Sequence, residues 1–107
     1  MKTTTQRSLA ELRKRGYLPY IAEYWNAHSH TKHDLFGFID IVALHPEKHG
    51  VLGVQTTTAS NLMARVHKAE KLKAFSLWIA AGNDVEFHGW LKKDGHWIYR
   101  TEEFFGV

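Results

Sequence analysis

Residues 36–45 read FGFIDIVALH and residues 51–57 read VLGVQTT. Between them lies Pro46-Glu47-Lys48-His49-Gly50, where proline presets φ, glycine accepts left-handed backbone and the rest are solvated, as a turn requires. Both runs are β-branched and apolar at nearly every position. That predicts an antiparallel pair of strands buried on both faces, and therefore central in a sheet. Asp40 is the lone carboxylate in either run. Burying it unpaired would cost several kcal/mol, so the position demands partners. A turn centred between Glu47 and Lys48 puts Leu44 opposite Val51, Val42 opposite Gly53 and Asp40 opposite Gln55. Side chains alternate along a strand, so Asp40, Gln55 and Thr57 fall on one face.

Upstream, residues 17–26 (YLPYIAEYWN) are aromatic and β-branched and read as a strand, with Pro19 favouring an edge or a bulge. Paired antiparallel with residues 36–45 around the polar loop 27–33, this strand puts Glu23 beside Asp40, with Cβ atoms about 5 Å apart. Glu23, Asp40 and Gln55 would then form a row across three strands. Two carboxylates and an amide oxygen are hard donors suited to Mg²⁺ or Mn²⁺. A plainer reading holds Asp40 with backbone donors or Arg65, turns Glu23 to solvent and leaves Gln55 simply hydrogen-bonded.

The remaining chain predicts helices and a hairpin. Thr3 with Gln6 offers a capping box for a helix over residues 3–15, and Ser8 with Glu11 offers a second register. Arg13, Lys14 and Arg15 load its last turn and Gly16 stops it. From Ser60 or Asn61 a second helix carries Leu62, Val66 and Ala69 on one stripe. It breaks around residues 70–73 before a further helical stretch over residues 74–81. Residues 85–93 and 96–105 flank Asp94-Gly95, a two-residue hairpin signal. The order α-β-β-β-α-β-β predicts an α/β domain of two or three layers around a mixed sheet.

At 107 residues the chain is long enough for one core and too short for two. It contains no cysteine, which removes disulfides, thiol nucleophiles and thiolate metal sites, and points to the cytoplasm rather than secretion. The opening MKTTTQRSLAEL lacks the apolar core of a secretory leader, and no run approaches the roughly 20 apolar residues of a membrane span. A net charge of +3 permits a nucleic-acid partner without requiring one.

The pattern over residues 5–90 resembles the PD-(D/E)XK, or restriction-endonuclease-like, nuclease superfamily. Asp40 in FIDIVAL stands at the motif aspartate, and Gln55-Thr56-Thr57 in GVQTT at the (D/E)-x-K position. Glu23 corresponds to a further acidic residue that several branches bring from an earlier element. DLFGFIDIVAL followed by VQTTTASN looks most like small phage or prophage members, and the compactness like Holliday-junction resolvases. The resemblance implies an α-β-β-β-α-β core with a mixed sheet, here extended by a C-terminal β-hairpin. It further implies a metal-dependent DNA endonuclease, on branched DNA or otherwise, with Glu23, Asp40 and Gln55 holding Mg²⁺ or Mn²⁺ and Thr57 orienting water. Ile39 replaces the motif proline, and Gln55 keeps a ligating oxygen with less charge. Thr57 stands where the family has lysine, and a hydroxyl supplies no cation. Lys68 on the following helix and Lys32 in the loop are the candidate substitutes. Without one, the resemblance implies an inactive nuclease fold that binds DNA or a protein.

Ser60 and Asn61, at the helix start just after the third strand, would present free amides to a phosphate. Arg65 and Lys68 on the same helix would add cations, though charged helix faces are often merely solvated. His28-x-His30-x-x-His33 in the loop matches no tight zinc spacing. His88 reads as a packing residue. A homodimer would allow cutting of both strands, and the hairpin surface with Trp90, Trp97 and Tyr99 is the candidate contact.

Overall fold

The structure, a computed structural model, describes residues 2–107. Helix α1 (Thr4–Lys14) opens it, capped by Thr3: its side chain accepts from the Gln6 amide, and the Gln6 side chain returns the bond. Strands β1 (Leu18–Ile21), β2 (Tyr24–Asn26), β3 (Thr31–His33), β4 (Ile41–Leu44) and β5 (Leu52–Thr58) follow. A single 3-10 turn, Ala59–Asn61, leads into α2 (Leu62–Glu70) and α3 (Lys73–Ala80), then β6 (Asp84–Lys93) and β7 (His96–Phe104).

Five strands form one mixed sheet in the order β1-β4-β5-β6-β7. The β4–β5 register is the one expected, with Val42 opposite Gly53, and both strands are central. β5 and β6 run parallel, joined through α2 and α3. β6 and β7 close a hairpin at Asp94-Gly95, both with positive φ, as a tight turn of this kind requires.

Alternation along the strands divides the core into two. Ile41, Ala43, Leu52 and Val54 point to one face and pack with Leu9 and Leu12 of α1. Val85 and Phe87 point to the other face and pack with Leu62, Val66, Ala69 and Phe75 of α2 and α3. The fold is therefore three-layered, α/β/α. The α1 layer carries a buried polar network. Ser8 donates to Thr56 Oγ1 (2.9 Å) and meets His88 Nδ1 (2.9 Å), while His88 Nε2 meets Glu86 (2.9 Å). Arg15 closes it with two 2.8 Å bonds to Glu86. His88 is thus a bonded member of a network rather than simple packing.

Two expected strands are shorter than their sequence suggests. Residues 17–26 divide into β1 in the main sheet and β2 in a separate two-stranded ribbon with β3. The division lies at Ala22 and Glu23, whose successive amides both donate to the Asp40 carbonyl (2.8 and 3.3 Å). Two residues opposing one is the geometry of a bulge, and it ends the ladder. Residues 36–45 form a strand only from Ile41. Before it the chain turns through Asp34–Gly37, with the Gly37 amide donating to the Asp34 carbonyl (3.1 Å) and Phe36 and Gly37 at φ +55° and +84°. This turn folds Phe38 and Ile39 into the core at 1% and 0% exposure, which offsets the strain.

The candidate hairpin contact for a dimer is also altered. Trp90 is buried against Ser8, to which its indole N–H donates (2.9 Å), and Tyr99 packs on it with its ring tilted, centroids 4.7 Å apart. Trp97 alone of the three is exposed, lying under the Arg7 guanidinium.

Candidate metal centre

Three carboxylates converge at the end of the sheet where β5 finishes. Glu23 stands at the bulge between β1 and β2, Asp34 after β3, and Asp40 immediately before β4. One oxygen from each lies within 4.8 Å of the others. Asp40 is the deepest. Its backbone amide donates to the Val54 carbonyl (2.8 Å), and its Oδ2 accepts from the Thr56 amide (2.9 Å). The paired register ends at Ile41 opposite Val54. Asp40, just before it, shares the Val54 carbonyl side of β5 instead of pairing squarely with Gln55 as expected, and its side chain takes up the Thr56 amide.

Glu23 arrives differently from the expected pairing. β1 pairs with β4 one residue out of the anticipated register, with Ile21 opposite Ile41, so Ala22 continues the ladder opposite Asp40. The bulge then swings Glu23 into the cluster. Gln55 reaches it through Asp34, its Nε2 donating to Asp34 Oδ2 (3.3 Å). Lys32 of β3 sits at the rim, its ammonium 3.7 Å from Glu23 Oε1.

Crowding of acid groups leaves a chemical signature. Burial first, then the hydrogen-bonding neighbour Asp34, pushes Asp40 up to about 8, with the charges of Asp34 and Glu23 adding to the effect and the Thr56 amide opposing it. Near neutral pH the cluster therefore holds a proton where a cation could sit. Two oxygens on one Mg²⁺ lie at most about 4.2 Å apart, so the three carboxylates stand near the spacing at which they could share one ion. The all-oxygen donor set fits a hard divalent cation.

Among the described residues, no hydrogen bond or ion pair joins the other expected residues to these carboxylates. Thr57 shares the face of Gln55 but is 7% exposed, opposite Gly89, over which Ala59 and Leu62 pack. Ser60 and Asn61 are exposed in the 3-10 turn, and Asn61 makes no side-chain cap. Arg65 and Lys68 are exposed on the outer side of α2, and neither forms an ion pair among the described residues. Arg65 therefore does not neutralise Asp40. The three loop histidines do not converge. His33 stacks on Tyr24 (5.5 Å), His30 lies against Trp25 (6.4 Å), and His28 is exposed.

Asp34 is the member that sequence reasoning missed. Its signal was present in Asp34-Leu-Phe-Gly37, since aspartate opening and glycine closing a four-residue turn is a common pairing.

No family model matches the chain, and no curated protein or solved structure matches it significantly. What stands is a mixed α/β fold with a partly buried acidic cluster compatible with metal binding and with a nuclease-like fold. Among the described residues no helix is long and apolar enough to cross a membrane.

Proposed function

We propose that the chain is a metal-dependent DNA endonuclease of the PD-(D/E)XK kind. The observation that carries this reading is the convergence of Glu23, Asp34 and Asp40 with a lysine at the rim. In this role Glu23, Asp34 and Asp40 hold Mg²⁺ or Mn²⁺, and Gln55 orients Asp34 or supplies a fourth oxygen. The cation, when bound, lowers the pKa of water and neutralises charge at the scissile phosphate. Lys32 supplies the positive charge that Thr57 cannot, reaching the site from β3 rather than from β5. Thr57 supports the sheet beneath the site instead of orienting water. Ser60 and Asn61 before α2, with Arg65 and Lys68 along its exposed side, contact the DNA backbone.

The test is incubation with linear, nicked and four-way-junction DNA in Mg²⁺, Mn²⁺ or chelator. Metal-dependent cleavage that Asp40→Asn abolishes is the expected result. Cleavage undiminished in that variant would place the chemistry elsewhere. A second reading, an inactive nuclease fold that binds DNA or a protein, is favoured by one observation: β5 carries buried Thr57 where the motif has lysine. Metal binding without cleavage of any substrate would support it.

A further inference from the structure

The β2–β3 ribbon is rooted on the cluster at both ends. Glu23 immediately precedes Tyr24 of β2, and Asp34 immediately follows His33 of β3. The segment between, YWNAHSHTKH, contains no acidic residue, one lysine and three histidines. Asn26 turns it, its Oδ1 accepting from the His28 and Ser29 amides (2.9 and 3.3 Å). The two strands rise about 10 Å from their root.

Its aromatic side chains are placed for a partner rather than for a core. Tyr24 and Trp25 are 56% and 59% exposed. Trp25 is directly opposed to Lys32, so the two share a face. Because the Lys32 ammonium reaches Glu23, that face is the one turned to the carboxylates. Tyr24 and His33 stack on the opposite face. The ribbon thus offers an open indole beside a cation, next to a cluster that cleaves phosphodiesters under the proposed function.

We propose that the β2–β3 ribbon grips single-stranded nucleic acid, with a base stacked on Trp25 and a phosphate held by Lys32, and so directs unpaired DNA into the metal centre. An exposed π face accepts any base but cannot reach bases inside a duplex, and a cation beside it tracks the backbone. The delivery of the strand to a cutting site rests on the proposed endonuclease reading. The grip itself does not, and is measurable in chelator.

The experiment is fluorescence anisotropy in EDTA at low salt, with a labelled mixed-sequence DNA strand of about 20 nucleotides and the duplex of the same sequence. Wild type, Trp25→Ala, Trp25→Phe, Lys32→Ala and Asp40→Asn are compared, each shown folded by its thermal transition. The single strand is expected to bind more tightly than the duplex. Trp25→Ala should weaken that binding by about fivefold or more, with Lys32→Ala weakening it too. Trp25→Phe should retain most of it, and Asp40→Asn should bind at least as well as wild type. Equal affinity for strand and duplex, no binding of either, or a Trp25→Ala variant that binds like wild type would overturn the proposal. Trp25-dependent binding without metal-dependent cleavage would sink the endonuclease reading alone. Cleavage by a Trp25→Ala variant with unchanged strand affinity would sink the grip alone.

Discussion

The Thr56 amide donates to Asp40 Oδ2 at 2.9 Å, while the Thr56 hydroxyl accepts from Ser8 at 2.9 Å on the opposite side of the sheet. One residue of β5 therefore joins the acidic cluster to the network beneath α1. Strand alternation makes this possible: the backbone serves one layer and the side chain the other. The hydrogen bond also holds Asp40 in place against two neighbouring carboxylates.

That confinement has a pH dependence. The Asp40 carboxyl lies near 8 in the fold against an ordinary 3.8, so between those values the folded chain holds a proton that the unfolded chain releases. Metal-free stability is then greatest on this account below about pH 4 and is lost as pH rises toward 8. A divalent cation competes with the same proton, so its affinity should rise over the upper part of that range. Thermal unfolding with and without Mn²⁺ should show a larger metal-induced rise in Tm at pH 8.5 than at pH 6. Equal shifts at both would disconnect the cluster from the metal.

Asp40→Asn separates strain from ligation. The amide keeps an oxygen for the Thr56 N–H and removes one charge from the cluster. In chelator at pH 8 the variant should be more stable than wild type by about 1 kcal/mol, or roughly 4–8 °C in Tm. The metal-induced shift should vanish. A variant less stable than wild type in chelator would make Asp40 a structural residue.

Glu86 behaves in the opposite sense. Burial alone would raise its carboxyl, but the paired bonds from Arg15, with His88 behind them, hold it at about 2 against an ordinary 4.5. Its contribution to stability is present above about 4.5 and is lost as pH falls toward 2. Arg15→Ala strands this carboxylate in the α1 layer and should cost about 3 kcal/mol at pH 7. Urea unfolding would measure it. The variant should also lose most of the acid-induced decline between pH 5 and 3, because Glu86 would then protonate more readily.

Gly37→Ala probes the turn that presents Asp34. At φ +84° a Cβ is strained, and it would stand 3.3 Å from Leu72 Cδ1. A loss of about 1–2 kcal/mol is expected, together with weaker Mn²⁺ binding. Gly95→Ala is the control, because φ is +79° with nothing within 4 Å. It should lose stability and keep its metal affinity. Equal metal affinity in both variants would show that the turn does not position a ligand.

Local chemistry carried most of the fold into view from the sequence. The Thr3–Gln6 cap, the Asp94-Gly95 hairpin and the Val42–Gly53 register all depend on neighbours in the chain or on one turn. Asp40 stood out because a lone carboxylate in an apolar run has few explanations. The break at Ala22 and Glu23 was hidden, since the choice between continuing a ladder and bulging is made by the partner strand. Glu23 joined the cluster as expected, but by that bulge and not by the anticipated register. Lys32 lay in a segment read as loop and Asp34 just beyond it, before the strand read from Phe36, where spacing says little about approach. The Arg15–Glu86–His88 network joins residues more than 70 positions apart along the chain, beyond the reach of any periodicity.

With Glu23 at one foot of the β2–β3 ribbon and Asp34 at the other, a single ion drawing both carboxylates inward would act as a clasp on the segment between. Fastening a loop at its base removes motions that lift it as a unit. Cation concentration would then set how stiffly the ribbon stands, as well as whether the centre is armed. Amide hydrogen exchange over residues 24–33 should slow when Mn²⁺ is added and should not slow in Asp34→Asn. Unchanged exchange would mean that the two feet are held apart by the sheet alone.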